Sequence, residues 1–157
     1  VVEVEQRSTD GFIEAVCLED GRRFAADLFV DCSGFGALLL GRAMGVAYRD
    51  WRQWLPCDRA VAISTAKIDD PAPFTRATAE RAGWRWRIPL QHRTGNGHVY
   101  RSAFSDDATA STMLVGSLDA PPLADSRILR FTAGRREQLW SGNCVANRPV
   151  RRFCRAA

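Results

Sequence analysis

Lysine is almost missing from this chain. Lys67 is the only one in 157 residues, and every other base is arginine. The net charge of +4 therefore reflects an arginine bias of the kind a GC-rich coding sequence produces. The arginines are scattered except near the end (Arg148, Arg151, Arg152, Arg155), and no basic stripe interleaves with aromatics, which argues against nucleic-acid binding. Histidine is scarce too, with only His92 and His98, and the five cysteines (Cys17, Cys32, Cys57, Cys144, Cys154) never form a CxxC pair. That leaves no zinc-ligand spacing and no disulfide framework. Reduced thiols and a cytoplasmic location are expected. No run approaches the roughly 18 apolar residues of a membrane span, and no basic start leads into an apolar stretch as in a signal peptide. Val1 to Glu5 already alternates like a strand, so the chain is expected to begin in mid-fold.

What is present reads as a globular α/β chain, with 46% hydrophobic and 25% charged residues. Asp20-Gly21 predicts a turn. Leu28 to Val30 reads as a short strand buried on both faces, ending at Asp31-Cys32-Ser33-Gly34. A helix is predicted over 37–44, closed by Gly45, and a strand over 60–65. Trp84 to Leu90 and His98 to Phe104 read as strands joined by Thr94-Gly95-Asn96-Gly97, whose Asn-Gly pair supplies positive φ. His92 and His98 are then surface residues of that hairpin. A helix is expected over 106–118 with Ser105 as N-cap, followed by strands near 127–131 and 139–146.

Gly83-Trp84-Arg85-Trp86-Arg87-Ile88-Pro89 is the strongest local pattern. In a strand, Trp84 and Trp86 share one face and Arg85 and Arg87 the other. Spacing alone favours a core pair of indoles with arginines stacked on it; a water-excluding wall beside a site is the second reading.

Trp84-x-Trp86-x-Ile88-Pro89 resembles the WxWxIP signature of flavin-dependent halogenases. The residues after it, Leu90 to Tyr100, resemble the strand-turn-strand that follows the signature in tryptophan halogenases. Trp54-Leu55-Pro56-Cys57-Asp58-Arg59, Ala26 to Phe35, Gly134-Arg135-Arg136 and Asn143-Cys144-Val145-Ala146 fit in the same order, so the resemblance spans about 1–146. It implies part of an FAD-dependent monooxygenase-like, Rossmann-type module (1–46), part of a mixed-sheet substrate module carrying WxWxIP (47–115), and a return to the FAD module (116–146). It also implies reduced FAD from a separate flavin reductase, oxygen, chloride or bromide as co-substrate, and tryptophan or a related indole as substrate. A homodimer is a further expectation. Trp84, Trp86, Ile88 and Pro89 would wall the oxidant's route, and Cys32, Ser33 and Gly34, at a strand's carboxyl end, would border the FAD.

The departures bear on catalysis. The family's Gly-x-Gly-x-x-Gly loop and catalytic lysine belong upstream of Val1, and Lys67 falls between the matching blocks. Residues 147–157 do not continue the family's glutamate-bearing segment. Arg-Pro-Val-Arg-Arg, read one nucleotide out of frame, encodes a sequence such as Gly-Leu-Ser-Val-Gly, which suggests a shifted reading frame. The chain alone is therefore expected to be inactive, with no catalytic residue and no metal ligand of its own. A non-catalytic partial product and a flavin-dependent hydroxylase are the alternatives.

Overall fold

The structure is a computed structural model that describes residues 1–147 and the backbone of 155–156. The readings of the tail from Arg148 onward lie outside the described side chains. The chain divides into two compact units, residues 1–55 with the stretch from Thr132, and residues 56–131. The sequence placed divisions near 46/47 and 115/116. The observed crossings fall later because a short strand after residue 46 pairs within the first unit, while the helix and strand that follow residue 106 pack within the second.

The first unit begins with an antiparallel meander of β1 (Glu3–Gln6), β2 (Ile13–Cys17) and β3 (Arg23–Ala25). Asp20-Gly21 makes the expected turn, Gly21 taking a φ of 81°. β4 (Phe29–Asp31) follows, then β5 (Tyr48–Asp50). Later in the chain β11 (Gly134–Arg136) pairs with β5, and β12 (Trp140–Ser141) and β13 (Cys144–Ala146) extend from β4 in the order β12-β13-β4. The β13–β4 pair is parallel, aligning Cys144 with Phe29 and Ala146 with Asp31. Ile13, Phe29, Ala37, Leu40, Val46 and Cys144 form this unit's core. Asn143 ties the pieces together: its side-chain oxygen accepts from the Ile13 amide at 2.9 Å, and its Nδ2 donates to the Ile13 carbonyl at 2.8 Å. One buried amide thus closes the same ring that a neighbouring strand would.

β4 corrects the expectation of a strand buried on both faces. Phe29 and Asp31 are buried, but Leu28 and Val30 are 49% and 52% exposed. An apolar triplet cannot by itself show which of its faces is covered. The helix expected over 37–44 is a six-residue π-helix, Leu38–Ala43, entered through Ala37 in the left-handed region (φ 40°). Gly45 takes a φ of 66° just after it.

The second unit is built on an antiparallel sheet in the order β10-β6-β9-β8-β7, with ranges β6 Arg59–Thr65, β7 Arg76–Glu80, β8 Gly83–Pro89, β9 Thr94–Tyr100 and β10 Arg127–Thr132. The helix α1 (Asp107–Val115) lies on one face, its Ala110 and Leu114 packing with Val61, Ile63 and Tyr100. The hairpin between β8 and β9 corrects the expected turn. Thr94-Gly95-Asn96-Gly97 lies within β9, and the chain reverses at 90–93, where the Leu90 amide donates to the Arg93 carbonyl at 2.8 Å. Gly97 serves packing here, for the Trp86 ring lies against it and a methyl group there would overlap the ring. His98 consequently leaves the expected surface and is fully buried in mid-strand, while His92 stays exposed in the turn. α1 is shorter than expected, and its N-cap is Asp106, whose carboxylate accepts from the Thr109 amide at 2.7 Å. Ser105 makes no such bond, because its hydroxyl is directed to the Asp106 carbonyl.

Candidate functional site

Strand pleating sorts the second sheet into two faces. Register pairs Trp84 with Val99 and Trp86 with Gly97 on β9, and Ala79 with Trp84 and Ala77 with Trp86 on β7. The indoles therefore sit on the face opposite α1, flanked by Gly97 and Val99 on one side and by Ala77 and Ala79 on the other. Their ring centroids are 5.8 Å apart, tilted by 53°. Both are half-buried, and Ile88, next on the same face, is 37% exposed. Pro89, half-buried, ends β8 at the hairpin. The four residues of the motif thus stand together along one strand, as the spacing required.

Beyond Trp86 and Ile88 the face opens into a groove of 340 Å³. Gly95, Ala62 and Ser64 contribute to its lining, with Leu90 from the turn and Arg93, Asp125 and Arg127 adding polar groups. Arg93 donates to the Ser64 hydroxyl at 2.6 Å, fixing one guanidinium beside it. A half-dry aromatic wall over small residues suits a flat apolar ring or a passage that excludes water.

The opposite face carries the motif's arginines. Arg85 donates to Glu80 at 2.6 Å, and Arg87 forms an ion pair with Asp119. His98 lies in register with Arg85 on this face, under α1. Neither of its ring nitrogens makes a hydrogen bond among the described residues. Burial holds its pKa below the ordinary imidazole value, outweighing the backbone of Ala110 and the charge of Glu80, which favour the proton. Tyr100, also fully buried, donates to Asp107 at 2.8 Å, and burial and this bond push its pKa out of the physiological range. Arg59 and Arg130 reach the same carboxylate at 3.3 and 3.4 Å. This cluster seats α1 and lies on the face away from the tryptophan groove.

In the first unit, the predicted cofactor residues follow β4. Ser33 is committed to structure: its hydroxyl donates to Asp31 at 2.5 Å and accepts from the Leu38 amide at 2.7 Å. Cys32 is exposed, and Gly34 holds a φ of 64° with open space where a side chain would begin. Backbone and thiol are thus presented at the carboxyl end of a strand, a place that fits a flavin group. The residue that shapes this loop is Asp31, which the sequence reading passed over. It is 1% exposed, and its carboxylate accepts from the amides of Ser33, Leu39 and Leu40 at 3.0, 3.1 and 2.8 Å. Burial alone would raise its pKa, but the Ser33 hydroxyl and these amides overrule burial and lower it. A short polar residue closing an apolar strand just ahead of a helix was the available signal.

The remaining candidates stand apart. Lys67 is exposed. Burial raises the thiol pKa of Cys17, Cys57 and Cys144, the last to about 11 with the charge of Asp31 adding to the effect, so none is a poised nucleophile. No group of three His, Cys, Asp or Glu side chains able to hold a metal occurs among the described residues. No helix among them is long and apolar enough to cross a membrane.

The tryptophan halogenase family model matches residues 1–147. Tryptophan 7-halogenase RebH of Lentzea aerocolonigenes is 43% identical over 150 residues, which are 92% of this chain and 28% of RebH. Among solved structures, BrvH, a flavin-dependent halogenase from Brevundimonas sp. BAL3, is 49% identical with a TM-score of 0.87 over 98% of this chain and 32% of its own. Xcc4156, a flavin-dependent halogenase from Xanthomonas campestris, is 46% identical with a TM-score of 0.86, over 98% of this chain and 31% of its own. The chain thus spans less than a third of these relatives' length. The aromatic wall of β8, the parallel β13–β4 pair and the loop that follows β4 are therefore pieces of a two-module halogenase fold, and the chain belongs to the tryptophan halogenase family.

Proposed function

We propose that this chain is part of an enzyme that halogenates tryptophan or a related indole, using FAD reduced by a separate flavin reductase, oxygen, and chloride or bromide. The observation that carries this reading is the ordered pair Trp84 and Trp86 on a small-residue face, in a chain that belongs to this family. When bound, reduced FAD supplies the electrons with which oxygen oxidises halide. Cys32 and Gly34 border it, and Ser33 holds their loop in shape through Asp31 and Leu38. Trp84, Trp86, Ile88 and Pro89 wall the oxidant's path and keep water out, so that a small reactive species reaches the ring before it decays. The chain contributes this wall, with Arg93, Asp125 and Arg127 as the charged groups of the groove beside it.

The test is a chimera in which this chain replaces the matching segment of RebH. Supplied with a flavin reductase, tryptophan or indole, and chloride or bromide, it should give halogenated product by mass spectrometry. Trp84→Ala and Trp86→Ala should keep FAD binding but lower product formed per flavin oxidised. The 157-residue chain alone should give none. A folded, FAD-binding chimera that yields only hydroxylated product would replace halogenation with the hydroxylase reading, and one that yields no product would leave the chain a non-catalytic piece.

A further inference from the structure

The α1 face of the second sheet holds a cleft of 200 Å³, bordered by Arg76 and Thr78 of β7, Arg85 and Arg87 of β8, Asn96 of β9, and Ser117 just past the helix. It opens on the side away from the tryptophan groove, so the halogenation reading does not account for it. Register brings the three arginines together: Arg76 stands directly across from Arg87, and Thr78 directly across from Arg85. Like charges directly opposite each other destabilise a strand pair.

Two carboxylates offset part of this charge. Glu80 accepts from Arg85 at 2.6 Å, and Asp119 pairs with Arg87. Arg76 is exposed and has no acidic partner among the described residues, which leaves one positive charge over at the cleft. The neutral groups are mostly engaged already. The Ser117 hydroxyl donates to the Leu114 carbonyl at 2.7 Å, and Asn96 donates to the Thr65 hydroxyl and the Thr94 carbonyl at 3.3 and 3.4 Å. Donors to spare therefore come from the guanidiniums and from Thr78, whose hydroxyl makes no hydrogen bond among the described residues. A cleft rich in guanidinium N–H groups matches a tetrahedral oxyanion, because each fork can engage two of its oxygens. A halide ion offers no such bidentate geometry.

We propose that this cleft is an anion site for a phosphate group, borne either by inorganic phosphate or by a small phosphoester. Arg76 supplies the uncompensated charge, Arg85 and Arg87 turn their remaining N–H groups to further oxygens, and Thr78 adds its hydroxyl. The bound dianion relieves the repulsion between Arg76 and Arg87. The cleft is roomier than a bare phosphate needs, so a small organic group fits beside it.

Calorimetric titration of the 157-residue chain with sodium phosphate and, separately, with glycerol 3-phosphate tests this, with sodium chloride at matched ionic strength as the control. Saturable one-to-one binding of at least one phosphate probe is expected. Tighter binding of the ester assigns the site to phosphoesters, and equal or weaker binding assigns it to free phosphate. Arg76→Ala should raise the dissociation constant by on the order of tenfold or more. It should leave the urea midpoint of the phosphate-free chain unchanged or higher, since it removes the like charge facing Arg87. Arg76→Lys keeps the charge but loses the fork, and should bind with intermediate affinity. Titrations that fail to saturate with either probe, or that chloride reproduces, overturn the proposal. So does binding that Arg76→Ala leaves intact, since the phosphate would then sit elsewhere. A lowered urea midpoint in phosphate-free Arg76→Ala would also overturn it, making the arginine a structural one.

Discussion

The imidazole of His98 has no solvent exposure and no hydrogen bond among the described residues, yet it lies in register with Arg85. Protonating it would place a second cation beside that guanidinium, with only Glu80, itself engaged by Arg85, to offset it. Burial depresses the folded-state pKa below the ordinary value of 6.5. The unfolded chain therefore takes up the proton first, and the stability that neutral His98 supports is present above that value and lost as pH falls toward the depressed one. We expect the urea midpoint of the chain to drop between about pH 7 and 5, and His98→Phe to flatten that drop. His92→Phe, at an exposed turn, should leave it intact. An acid limb that survives His98→Phe would assign it to other groups. The sequence contains this histidine but not its burial. Directly after an Asn-Gly pair it reads as a hairpin flank, and only the seating of Trp86 on Gly97 shows that the pair lies inside a strand.

At the scale of elements, caps and turns were legible where a local bond decides them, and misread where packing does. The Asp-Gly turn after β2 is set by backbone preference alone and stands where expected. α1 was expected in the right place, but its cap went to the wrong neighbour, since Ser105 and Asp106 are both good N-cap residues. The structure selects Asp106 because one residue further on Asp107 must face Tyr100, Arg59 and Arg130. Asp106→Ala should then lower stability by about 1 kcal/mol, whereas Ser105→Ala should change it by no more than a few tenths of a kcal/mol. Equal losses in urea unfolding would return the cap to a shared role. The π-helix after β4 had no comparable signal. It starts at a non-glycine residue with positive φ, held by a buried aspartate that bonds two successive helix amides.

At the scale of the whole molecule, two cores form from one chain, each closed by residues from distant segments. Leu114 is fully buried in the second, against Val61, Ile63 and Tyr100. Leu114→Ala should cost about 2–5 kcal/mol there. Hydrogen exchange should show amides of β6 and β9 losing protection while those of β2, β4 and β13 keep theirs; equal loss in both sets would mean that the units unfold as one.

By itself, the sequence determined the facing of Trp84 and Trp86, the absence of metal-ligand spacing, the turn at Asp20-Gly21 and the family, because these depend on residue identity and on strand or turn periodicity over a few positions. Tertiary structure alone decided that β4 shows Leu28 and Val30 while hiding Asp31, and that Asn143 stands in for a strand edge at Ile13. It also decided that His98 lies beneath α1. The physical reason is the same in each case. Burial and pairing belong to surfaces brought together from far along the chain, and a residue's own neighbours in sequence do not specify which of those surfaces will cover it.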